Sequence, residues 1–190
     1  TLFHRRALPA LEEIVKKDLG HDLGKFVTDR STLSWTLGLG FAMSYAVRAR
    51  DLDDADQQQW LRWLDRIQKS ICARYVGQPV QSFEHTQPAE VSADDGLIRA
   101  TYGPVQLTAN LGPAPVRDGP CELAGFGFVA QAPGMIAGNL RRISELDYGE
   151  EGLSFVTEAT PAGLDVWVYA PGGTDVAVLN GLMNLIIEEG

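Results

Sequence analysis

Residues 89–132 read AEVSADDGLIRATYGPVQLTANLGPAPVRDGPCELAGFGFVAQA, and the reading of this stretch decides the fold. Leu97–Tyr102 and Val105–Asn110 are β-type runs divided by Gly103-Pro104, and Asp94-Asp95-Gly96 turns into the first. Glycine supplies positive φ and proline fixes φ near its turn value, so these pairs punctuate hairpins. After Asn110 the chain crosses a Pro/Gly loop, Gly112-Pro113-Ala114-Pro115, and returns through Cys121-Glu122-Leu123 and Phe126–Ala130. A meander of this kind buries one face against another layer.

Outward from the meander, strand signals recur. Val80–His85 leads in, Leu153–Glu158 and Leu164–Tyr169 form a hairpin around Thr160-Pro161-Ala162-Gly163, and Asp175–Leu179 follows another turn. Met135–Ile143 reads equally as strand or turn. Leu182–Ile187 closes the chain as strand or short helix. Short strands at this spacing, without intervening helices, predict an antiparallel sandwich from residue 78 to 190 with Phe155 and Trp167 facing its core.

Before Gly77 the periodicity is helical. Leu8–Gly20 is amphipathic, with Pro9 in its first turn and Gly20 at its end. A second helix is expected from about Thr32 to Arg48, capped by Asp29 or Ser31. Leu33, Leu37, Phe41 and Tyr45 line one side of it and Trp35, Leu39, Met43 and Val47 the other. A third is expected from about Asp54 to Tyr75, with Trp60, Leu64, Ile67, Ile71 and Tyr75 as its stripe. The fold class is therefore α+β, with a helical segment of about three helices over 1–77 and a mainly antiparallel β-sandwich over 78–190.

The formal net charge of −9 argues against a nucleic-acid binder, which needs a basic stripe, and against adhesion to anionic membranes. No apolar run approaches the roughly 20 residues of a spanning helix. Cys72 and Cys121 are too few for a disulfide scaffold and read as two small buried hydrophobes. No cofactor motif is present: Gly38-Leu39-Gly40-Phe41-Ala42-Met43 lacks the third glycine of a dinucleotide fingerprint. Asp51–Asp56 lacks the glycine and distant glutamate of a calcium loop and reads as carboxylates at a helix start. His4, His21 and His85 have no ligand spacing, so no metal is expected. Asp94/Asp95, Glu150/Glu151 and Glu188/Glu189 are adjacent in sequence, whereas two acids acting across one bond converge from different elements. No catalytic residue is assigned.

One polar cluster has a chemical reading. His21-Asp22 precedes the helix carrying Trp35, and an indole beside charged hydrogen-bond partners suits the C–H faces and hydroxyls of a sugar. The same residues also read as a helix C-cap loop. Nothing in the chain assigns a compartment.

His21-Asp22-Leu23, Phe26-Val27-Thr28-Asp29, Leu33-Ser34-Trp35 and Gly40–Tyr45, with Trp60-Leu61, Gln68-Lys69-Ser70 and Ala73-Arg74-Tyr75, resemble the final barrel segment of glycoside hydrolase-like proteins. Val105–Gly112 and Leu123–Phe128 are similar to the strand and loop of the β-sandwich that follows the (β/α)8 barrel there. The resemblance covers roughly Leu2 to Val129. It implies a piece of a longer carbohydrate-active protein in which the sandwich buttresses the barrel. The barrel's nucleophile and acid/base carboxylates would then lie outside this chain, with His21, Asp22 and Trp35 at most near the sugar site. The alternative is a stand-alone, non-catalytic module binding glycan or protein. A helix apolar on two sides also needs a second neighbour, so the expected partner is a missing N-terminal domain or a second copy of the chain.

Overall fold

The computed structural model describes residues 27–45, 53–86 and 96–169. The expected helix over Leu8–Gly20, His21-Asp22 and the strands after residue 169 lie outside these residues. Within them the protein is mostly antiparallel β with two principal helices.

Helix α1 spans Arg30–Gly38 and is capped as the sequence predicts. The Thr32 backbone N–H donates to Asp29 Oδ1 at 2.8 Å, and the Asp29 N–H donates to Thr32 Oγ1 at 3.1 Å. The expected continuation of this helix toward Arg48 is corrected. Gly40 turns the backbone at φ +69°, the Gly40 and Phe41 amides close the helix end by donating to the Leu37 and Thr36 carbonyls at 2.9 Å, and 41–45 runs on without helix. A side chain at Gly40 would meet the Tyr102 ring at 2.8 Å, so both backbone and space demand glycine there. The apolar residues beyond it therefore do not form a second helical face. Met43 is 6% exposed and joins the core from non-helical chain.

Helix α2, Ala55–Ile67, begins at Asp54, whose carboxylate accepts from the Asp56 and Gln57 amides. Asp54 is thus the helix cap and Asp56 lies in the first turn, while Asp51 lies outside the described residues. The helix widens into a π turn at Gln68–Cys72 and ends in a short α3, Ala73–Tyr75. Gly77 then turns at φ +80° into the first strand.

The strands are β1 Val80–Thr86, β2 Leu97–Tyr102, β3 Val105–Asn110, β4 Val116–Asp118, β5 Cys121–Leu123, β6 Phe128–Ala132, β7 Met135–Ile143, β8 Leu146–Asp147, β9 Leu153–Thr160 and β10 Gly163–Tyr169. Every pairing is antiparallel. The ambiguous Met135–Ile143 stretch is the hub. One edge of β7 pairs with β6 and then β5, the other with β9 and then β8. The order β1-β2-β3-β6-β7-β9-β10 forms a single curled sheet.

The sheet has two unlike faces. On the inner face Ile98, Tyr102, Leu107, Phe128, Met135 and Val156 share one continuous core with Trp35, Leu37, Trp63, Leu64 and Ile71 from the helices. On the outer face Leu97, Leu140, Leu153 and Phe155 form a smaller cluster with Val116, Cys121 and Leu123. The β4–β5 hairpin thus curls back across that face, with a register shift between Glu122 and Leu123. Phe155 pairs with Val168, and Trp167 with Val156, so Phe155 and Trp167 face opposite sides. Their expected shared core is corrected, because neighbouring strand positions alternate faces.

Buried polar groups tie the layers. Asn110 Nδ2 donates to the carbonyls of Ala114 at 2.7 Å and Ala124 at 2.9 Å, and its Oδ1 accepts from the Gly112 amide at 3.1 Å. Ser34 Oγ donates to the Asn110 carbonyl at 2.7 Å, linking α1 to this loop. Cys72 is buried in the main core and Cys121 packs at the edge of the outer cluster.

Candidate functional site

The outer face carries a polar groove of about 330 Å³ over β1, β2, β3 and β6. Strand register builds its floor. Ser82 faces Thr101, Thr101 faces Gln106, and Gln106 faces Gln131, so four strands contribute one continuous row. A second row places Arg99 beside Thr108 and Thr108 beside Val129. These residues alternate in sequence with inward-facing Ala100, Leu107 and Ala130, as a half-buried sheet requires.

Ser82 Oγ donates to Thr101 Oγ1 at 2.9 Å. A register shift between Val80 and Ser82 sits beside this contact and re-aims the edge strand. Asp118, at the tip of the β4–β5 hairpin, forms the wall: Arg99 Nη2 donates to its Oδ1 at 2.9 Å. Among the described residues the groove's one cation and one anion therefore neutralise each other. What remains is hydroxyls and side-chain amides, groups that both donate and accept. The row continues to Ile136, which faces Gln131 across β6 and β7 and is 45% exposed, and on to Thr157 of β9.

A charged cluster lies on the inner side, between α2 and the β9–β10 hairpin. Glu158 accepts from Ser70 Oγ at 3.0 Å and pairs with Arg66 at 3.1 Å and Arg74 at 3.1 Å. Arg66 also reaches Asp165 at 2.6 Å. Each charge has an opposite partner, so the cluster clamps the helix to the sheet.

Trp35 is 3% exposed and lies in the main core, its ring edge-on to His85 at 6.4 Å between centroids. The indole faces protein, while His21 and Asp22 lie outside the described residues. Glu150 and Glu151 sit on an exposed loop, where Glu151 pairs with Arg30 at 2.7 Å. Among the described residues no group of three potential metal ligands is gathered, and no helix is long and apolar enough to cross a membrane.

Away from the groove, burial raises the pKa of several core and half-buried groups. The Cys72 thiol is pushed up to about 11, and the Tyr75 and Tyr102 hydroxyls are pushed well above their usual range. Their hydrogen bonds are internal. Tyr75 donates to the Phe41 carbonyl at 2.6 Å and Tyr102 to the Gly38 carbonyl at 2.7 Å. These groups hold the segment after α1 in place.

The groove could not be read from the sequence. Its polar positions are visible as alternation, but their convergence depends on strand register and on the curl that brings Asp118 to Arg99. No family model matches the chain, and no curated protein or solved structure is detectably similar to it.

Proposed function

We propose that this chain is the C-terminal region of a glycoside hydrolase-like protein, in which the sheet buttresses a catalytic barrel whose acid pair lies outside these 190 residues. One observation carries the reading. The segment that resembles the end of a barrel, with Trp35, Leu37, Trp63, Leu64 and Ile71, shares a continuous core with the inner face of the sheet. A sheet committed in this way holds the barrel's last elements against a rigid support. In this reading the curled sheet and its folded-back β4–β5 hairpin correspond to the family's β-sandwich, and the barrel is the missing partner.

The test is made on the natural polypeptide that carries this sequence, assayed against a panel of aryl glycosides. Hydrolysis is expected from that polypeptide and its loss on deletion of residues 78–190. Hydrolysis by the isolated 190-residue chain contradicts the proposal, as does inactivity of the natural polypeptide on the whole panel. The second reading, a stand-alone non-catalytic binding module, is favoured by the polar groove on the outer face.

A further inference from the structure

We propose that the groove over β1, β2, β3 and β6 binds a short neutral saccharide laid across the strands. The inference does not depend on the barrel reading, because the groove lies on the face the helices leave open.

The geometry sets the ligand's shape. Ser82, Thr101, Gln106 and Gln131 occupy neighbouring strands in register. Three interstrand steps make a row of about 14 Å, long enough for a short oligosaccharide. The ligand must lie along this row, with Asp118 and Arg99 as its wall on one side.

The chemistry sets its class. A carboxylate or phosphate ligand needs an uncommitted cation, and Arg99 is held by Asp118 at 2.9 Å. A cation needs converging carboxylates, and among the described residues Asp118 is the one carboxylate lining the groove. A purely apolar ligand would strip water from the two glutamine amides and three hydroxyls without replacing their hydrogen bonds. Hydroxyls that donate and accept in turn match side chains that do the same. Saccharides also carry C–H faces, and the groove offers Val129 in its floor, with exposed Ile136 next to Gln131 in the row beyond it.

The experiment titrates the full 190-residue chain, labelled with 15N, with cellotetraose, xylotetraose, mannotetraose and maltotetraose, using tetragalacturonate as a charged comparison. At least one neutral tetrasaccharide is expected to shift the side-chain amide signals of Gln106 and Gln131 and the backbone amides of Thr101 and Thr108. The double substitution Gln106→Ala and Gln131→Ala is expected to weaken that binding by about tenfold or more, a loss of about 1.4 kcal/mol. Both glutamines are exposed, and an unchanged backbone spectrum of the variant checks that it folds. No shift with any neutral tetrasaccharide, shifts confined to another surface, or tighter binding of tetragalacturonate would each overturn the proposal. Because the readout is binding by the isolated chain, its failure leaves the glycosidase assay of the natural polypeptide unaffected.

Discussion

Trp63 on α2 and Trp167 on β10 lie ring on ring, with centroids 5.4 Å apart and planes 7° from parallel. Tyr169, two residues along the same strand face, is also stacked on Trp63 at 5.6 Å. Trp63 is 2% exposed, so its removal leaves a cavity that α2 cannot close without losing the Glu158 clamp. Trp63→Ala is expected to destabilise the chain by about 3–5 kcal/mol in urea unfolding. Trp167 is only partly buried, and Trp167→Ala should cost clearly less. Equal costs would mean that the shared stack, rather than the deeper burial of Trp63, sets the loss.

Asn110 is expected to matter out of proportion to its size. Its side chain serves two carbonyls and one amide, and it is 1% exposed. Asn110→Ala leaves those partners without bonds and should cost about 2–4 kcal/mol. Asn110→Asp replaces two donated bonds with repulsion against the Ala114 and Ala124 carbonyls, and it should be at least as damaging near neutral pH. Thermal unfolding at pH 7 measures both.

The Cys72 thiol predicts a loss of stability in alkali. Tyr75 gives its proton to the Phe41 carbonyl, so the thiol donates to the Tyr75 oxygen at 3.2 Å, buried beside it. In the folded chain the thiol keeps its proton to about pH 11, against 9.0 for an ordinary thiol. The native state therefore binds more protons than the unfolded state between these values. Its contribution is fully present below about pH 9 and falls by about 3 kcal/mol as pH rises to about 11. Cys72→Ala should flatten that part of the stability profile. An unchanged slope between pH 9 and 11 would assign the effect to other groups.

The strands about Gly103-Pro104 were legible because turn chemistry and alternation agree there: Leu97–Tyr102 and Val105–Asn110 are β2 and β3 residue for residue. Met135–Ile143 was not, because its centre is buried on both faces and lacks alternation. The overlong helix after Thr32 has the same origin. Phe41, Met43 and Tyr45 fit helical spacing, yet the turn at Gly40 takes them out of the helix, and the Val27 N–H bonds to the Ser44 carbonyl at 2.7 Å. Phe155 and Trp167 each carried a clear signal of burial, but which face each takes depends on register. Trp35 illustrates the limit for sites. An aromatic beside polar residues reads the same whether it lines a binding surface or fills a core.

The central claim is that helices and sheet form one core, and equilibrium unfolding in urea tests it most directly. Tryptophan fluorescence reports chiefly on Trp63 and its helix-side neighbours, while amide hydrogen exchange of Leu107 and Ala109 reports on the middle of the sheet. One core predicts a single transition with coincident midpoints for both probes. A fluorescence transition well below the loss of protection in β3, with the sheet still folded, would contradict it.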